Sequence, residues 1–136
     1  MPGKARVLRI SSKKKGGENR GLLWSARVFS TPSEHRRGII GEKKNFSPAL
    51  FVFARPTRLG AAIHAFFCPP FDAVFLDEKM VVVDSREVKP FSPLVVPPAA
   101  CKYLIELPAG QAASSKIRAG EKLLVQFWVG GKWKSI

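Results

Sequence analysis

The chain has 136 residues and a mass of 15.0 kDa, enough for one domain, and its 46% apolar content excludes a wholly disordered polymer. The longest apolar runs, 49–54 and 80–83, are too short to cross a bilayer, and no apolar segment follows the first basic residues. Neither a spanning helix nor a secretory leader is therefore expected, and the expected location is cytoplasmic.

Lys and Arg number 23 against 10 Asp and Glu, for a net charge of +13 and a pI near 10.4. The excess is uneven: +9 over residues 1–44, zero over 45–100 and +4 over 101–136. Basic ends around a neutral middle suggest a folded body with extensions for a polyanion. A thermophile surface would carry matching acidic residues, and these are scarce.

Residues 1–20 hold seven basic side chains and one acid, Glu18, with a Lys13-Lys14-Lys15 run before Gly16-Gly17. The expectation is a basic extended tail that does not join the core. Order is expected from Gly21, where Leu22, Trp24, Ala26 and Val28 alternate as in a strand. Thr31-Pro32-Ser33-Glu34 is a capping-box start, so a short helix should run to about Ile40 and stop at Gly41. Ile39 and Ile40 are its expected core contacts. Strands are then predicted over 49–55, 60–67, 71–76 and 80–85, the last two as a hairpin around Asp77-Glu78-Lys79. Four prolines make residues 86–100 a wandering connection. A strand over 101–107, a helix over 111–118 and a strand over 121–129 complete the pattern. The predicted fold is mostly β: a small antiparallel β-sandwich or barrel-like domain with two short helices. The expected organisation is a tail over 1–20, a single domain over 21–129 and a short basic extension over 130–136.

Four segments in this order resemble the domain of unknown function 192 family, also called uncharacterised protein family 0127. They are Arg36-Arg37-Gly38-Ile39-Ile40-Gly41; Ala49-Leu50-Phe51-Val52-Phe53; Ile63 to Phe67 with Pro70 to Asp77; and Ile105-Glu106-Leu107-Pro108-Ala109-Gly110 leading to Gly120-Glu121-Lys122-Leu123. The resemblance implies a small, mostly antiparallel β-barrel and no particular activity. It departs from the family pattern at Ile39-Ile40, where Leu-Met is common. The tail and residues 130–136 lie outside the pattern.

Within those motifs Asp72 is expected to hydrogen-bond a turn backbone or pair with Arg37, and Glu106 to cap the following helix. Both are read as structural rather than catalytic. Cys68 and Cys101 are the only cysteines and His35 and His64 the only histidines, without zinc-finger spacing. The cysteines are read as buried thiols, with a disulfide as the alternative. Trp24 and Trp128 are expected in the core. Low Asn and Gln content suggests a hot habitat. There is no nucleophile elbow and no phosphate loop. No metal, cofactor or catalytic residue is expected.

The expected function is that of an RNA-binding structural protein, a lineage-specific, archaeal-type ribosomal component. Lys4, Arg6, Arg9, Lys13, Lys14, Lys15 and Arg20 would neutralise rRNA phosphates. Arg36, Arg37, Lys43 and Lys44 would extend that patch, and Trp133 between Lys132 and Lys134 would stack on a base. The expected partners are rRNA and neighbouring ribosomal proteins, with no membrane and no small-molecule substrate. The alternative is an uncharacterised small-ligand-binding or enzymatic domain of the same family.

Overall fold

The structure, a computed structural model, describes residues 2–14 and 17–135. It is mostly β, with eight strands in one sheet in the order β5-β4-β6-β3-β2-β1-β7-β8. The strands are β1 (Lys4–Lys14), β2 (Gly17–Phe29), β3 (Ala49–Thr57), β4 (Phe71–Leu76), β5 (Val82–Val88), β6 (Cys101–Pro108), β7 (Leu123–Val129) and β8 (Lys132–Lys134). Two short helices, α1 (Pro32–Arg37) and α2 (Gln111–Ser114), complete the fold.

The first correction concerns the chain's start. Residues 4–14 are not a tail. They form β1, paired antiparallel with β2 on one side and β7 on the other. Ala5 and Val7 are fully buried. The physical reason lies in Lys4-Ala5-Arg6-Val7: charged and apolar residues alternate with a period of two, which places the apolar ones on one face of a strand. Lys15 of the expected tail lies outside the described residues.

The β2 pattern is seen, with one exception. Trp24, Ala26 and Val28 are buried, but Leu22 is exposed. Val7 faces Trp24 while Leu8 faces Leu22, so the register shifts there and Leu22 turns away from the core. The predicted strand over 60–67 is absent. A 3-10 turn over Leu59–Ala61 and a single bridge between Ile63 and Val95 take its place. The helix over 111–118 ends at Ser114, and the wandering segment after residue 85 begins only beyond Val88.

Every strand pairing is antiparallel except that of β2 with β3. Parallel neighbours need a crossover, and residues 30–48 supply it. The sheet also curls. Val82 N–H donates to Glu121 O at 2.8 Å and Leu123 N–H to Met80 O at 3.0 Å, which brings the start of β5 to the start of β7. This barrel-like curl separates two cores. Val7, Trp24, Leu50, Val74, Ile105 and Phe127 pack on one face. On the other, Phe51, Phe53, Phe71, Phe75 and Leu104 pack beneath Ile39 and Phe46 of the crossover.

Candidate ligand cavity

The crossover roofs the second face. Thr31 caps α1 as expected: its hydroxyl accepts from Glu34 N–H at 3.2 Å, and the Glu34 carboxylate accepts from Thr31 N–H at 3.0 Å. Ser30 N–H, which donates to the same carboxylate at 3.0 Å, and then Thr31 hold the Glu34 carboxyl below its ordinary pKa. The helix stops at Gly38, three residues before the expected stop, because Gly38 takes φ +47°, a conformation that side-chain-bearing residues adopt rarely. Ile39 then turns into the core while Ile40 faces solvent, which corrects the expectation of two core contacts.

His35 seats the helix. Its Nε2 donates to Phe29 O at 2.9 Å, and its ring lies 5.7 Å from Phe51 and 5.3 Å from Phe53. Between α1, β3, β6 and the segment 60–68 lies a cavity of about 310 Å³. Phe51, Phe53, Leu104 and Ile39 give it apolar walls. Exposed Arg36 and Arg37 also line it, with Arg37 5.4 Å from the Phe29 ring. His64 lines it too; its Nδ1 accepts from Phe66 N–H at 3.1 Å, which leaves the proton of a neutral ring on Nε2.

Glu106 lines the same cavity and is 4% exposed. Among the described residues its carboxyl has no hydrogen-bond partner. Desolvation pushes its pKa from 4.5 to about 8; the nearby Glu42 charge adds to the rise and Arg27 opposes it. Arg27 cannot neutralise Glu106, because it is committed to Glu42 through two hydrogen bonds of 2.9 Å. At neutral pH Glu106 is therefore a neutral acid, with one O–H donor and one carbonyl acceptor. Gly38 sits over it: a Cβ there would lie 3.9 Å from Oε1. The Cys68 thiol also lines the cavity, and burial raises its pKa to about 11, so it is a neutral wall rather than a nucleophile.

The two motif acids divide differently from expectation. Asp72, not Glu106, caps the second helix. Its Oδ2 accepts from Gly110 N–H at 2.9 Å and Ala112 N–H at 3.0 Å, and it does not pair with Arg37. Burial raises its pKa, and the two backbone N–H groups pull against that rise. Glu106 points to the opposite face, because Tyr103, Ile105 and Leu107 face one core while Leu104 and Glu106 face the other. The readable signal was a lone acid among the apolar residues Leu104, Ile105 and Leu107. Cys68 is half-buried, Cys101 is buried and both are free thiols. Among the described residues no group of three His, Cys, Asp or Glu gathers for a metal ion.

The residues expected to bind RNA scatter over the fold. Arg36 and Arg37 line the cavity, and Lys43 and Lys44 lie exposed on the crossover. Lys13 and Lys14 end β1, and Arg20 lies on β2. Arg9 is spent within the fold, paired with Glu121 at 2.7 Å. Arg6 donates to Gln126 at 2.9 Å and stacks 4.6 Å from the Trp133 ring. Lys4 lies 4.9 Å from the Trp128 ring. Trp133, on β8 between Lys132 and Lys134, packs edge-on against Trp128 at 5.1 Å. Trp128 is 39% exposed, not a core residue.

A model of the domain of unknown function 192 family, DUF192, described as an uncharacterized ACR, matches residues 13–125. UPF0127 protein PH1112 of Pyrococcus horikoshii is 33% identical over 109 residues, 78% of this chain and 93% of that protein. UPF0127 protein PYRAB11210 of Pyrococcus abyssi is 32% identical over 108 residues, 78% of this chain and 92% of that protein. The fold is similar to a crystal structure of a candidate transcription regulator from Sinorhizobium meliloti, with a TM-score of 0.73 and 18% identity over 90% of this chain and 93% of that one. It is also similar to a protein of unknown function from Novosphingobium aromaticivorans, with a TM-score of 0.68 and 17% identity over 87% of this chain and 82% of that one. The expected ribosomal and RNA-binding character is overturned here: the curated relatives carry the name of an uncharacterised family, not of ribosomal proteins. With a family model spanning most of the chain, and the four sequence segments carried on α1, β3, β4 and β6, the chain belongs to the DUF192 family.

Proposed function

We propose that this chain is a small-ligand-binding domain, and that its ligand occupies the cavity between α1 and the sheet. The observation that supports this reading is Glu106: a buried carboxyl facing a cavity, with no hydrogen-bond partner among the described residues. The carboxyl oxygens open onto the cavity: among the described residues the one buried side-chain N or O atom without a partner is Arg27 Nε, not an atom of Glu106. The carboxyl is therefore free to take its partner from whatever fills the cavity. As a neutral acid, Glu106 offers a donor and an acceptor side by side, which suits an amide-like group. Phe51, Phe53 and Leu104 suit an apolar body, and Arg36 and Arg37 suit a negative charge at its outer end. The ligand class is a compact organic anion with an apolar middle and a carboxamide-like head.

The test is a fragment screen by NMR against the intact chain, using aromatic carboxamides that bear a carboxylate. Shifts should concentrate on Ile39, Phe51, Phe53 and Glu106. Glu106→Gln, which keeps a donor beside an acceptor, should retain most of the binding, and Glu106→Leu should abolish it. Fragments that shift other surfaces only, or bind Glu106→Leu as well as the parent, would refute the reading.

A further inference from the structure

Eight large apolar side chains are exposed among the described residues. Six of them, Ile40, Leu59, Phe66, Phe67, Phe91 and Leu94, lie in loops that the backbone ties together. Gly41 N–H donates to Phe67 O at 2.8 Å, joining the crossover to the segment 59–68. Ala65 N–H donates to Ser92 O at 2.9 Å, and Ile63 and Val95 exchange hydrogen bonds, joining that segment to 89–97. Arg58 Nε donates to Pro97 O at 3.0 Å and closes the group. Apolar residues scattered singly need no explanation, but this concentration on one set of linked loops does.

The backbone adds a second observation. Phe67 and Phe91 sit at φ +59° and +64°. A bulky aromatic residue in that region is unusual and carries strain. Both are also well exposed, 76% and 64%, so no burial in this chain offsets the strain.

The charge around these loops is one-sided. Exposed Arg36, Arg37, Lys43, Lys44, Arg58 and Lys89 belong to the same segments. The crossover's two acids are engaged within the fold, Glu42 with Arg27 and Glu34 in the capping box, against four exposed cations there.

We infer that these loops form a docking surface for an anionic lipid bilayer, with Phe67, Phe91 and Leu94 entering the interface and the surrounding cations meeting lipid headgroups. Single apolar side chains on separate loop tips suit insertion between headgroups. A protein partner with a helix or strand would want a continuous groove or a free edge. The cations complement the negative surface of a bilayer, where each basic residue near the surface adds attraction. Among the described residues no helix is long and apolar enough to cross a membrane. This proposal departs from the expectation from sequence of no membrane partner. It does not depend on the cavity having a ligand.

The experiment is co-sedimentation of the intact chain with phosphatidylcholine vesicles, with and without phosphatidylserine, at physiological salt. The chain should pellet with the phosphatidylserine vesicles. Phe67→Asn together with Phe91→Asn should reduce that binding at least tenfold, because burying one Phe is worth about that factor or more. Asn tolerates the left-handed backbone, so the fold is kept, and a circular dichroism melt confirms it. Leu94→Ser, a change at an exposed site, should give a smaller loss of the same kind. Lys43→Ser with Lys44→Ser should weaken binding about tenfold. A chain that stays in the supernatant with both vesicle types would overturn the inference, as it would if the loops served a protein instead. So would binding that the Phe double variant leaves unchanged, since that would be attraction of net charge alone.

Discussion

Glu106 and Asp72 both reach from apolar strands, yet they do opposite things. Asp72 has two backbone N–H partners and stabilises the turn into α2. Asp72→Ala should cost about 2 kcal/mol, the loss of two hydrogen bonds to a charged group's site, and a urea melt measures it. Glu106 has no partner among the described residues, so its removal should have the opposite sign. Glu106→Leu should raise stability by about 1 kcal/mol, because an unpaired buried acid gives way to an apolar side chain in an apolar wall. A lower melting temperature for Glu106→Leu would show that the carboxyl has a partner in the protein. Read from sequence, Asp72 had a turn backbone or Arg37 as its expected partner and the helix cap was assigned to Glu106; the backbone partner is the one observed, and it is the cap. Glu106 was less legible, because its strand position does not say whether the space above it is filled or hollow.

At the scale of elements, the crossover between β2 and β3 makes the cavity. Its capping box was plain in Thr31-Pro32-Ser33-Glu34, whereas its end at Gly38 was not, since Gly41 offered an equally good stop signal. Gly38→Ala should destabilise the chain by at least about 1–3 kcal/mol, the cost of a side chain in a backbone region (φ +47°, ψ −130°) that glycine alone adopts readily, measurable by thermal melt. Strand β1 was hard to see in the sequence because its apolar alternation spans only Ala5 and Val7 before the cationic run Lys13-Lys14-Lys15 and the glycines. The structure places β1 between β2 and β7, so deleting residues 1–20 removes an interior strand. That truncated chain should show no cooperative melt by circular dichroism, and a cooperative one would contradict the placement of β1. The segment 60–67 reads as a strand by composition. Its backbone instead forms a 3-10 turn and loop that bond to 92–95, a choice set by tertiary packing rather than by local propensity.

At the scale of the whole molecule, the curled sheet has an inner core and an outer one, and the cavity belongs to the outer. The mostly β architecture and the family were legible because strand alternation and motif order are local. The roofing of the outer core was not, because it depends on which loops cross which strands. One consequence is global. The folded chain holds the Glu106 proton up to about pH 8, while the unfolded chain releases it near 4.5. The unfolded state therefore binds fewer protons between those values, and stability should fall as pH rises from about 5 to about 8. Asp72 is raised in the same direction by burial, so its contribution has the same sign. Melting temperature across that range should decline for the parent and decline less for Glu106→Gln, and parallel profiles would assign the trend to other groups.

The most direct measurement is a pH titration of the Glu106 carboxyl carbon by NMR on ¹³C-labelled protein, assigned by its loss in Glu106→Gln. A neutral acid facing a ligand cavity requires a midpoint near 8 that moves when a carboxamide fragment is added. A midpoint in the ordinary glutamate range, unmoved by any fragment, would mean that water or protein already satisfies the group and would contradict the assignment of the cavity as a binding site.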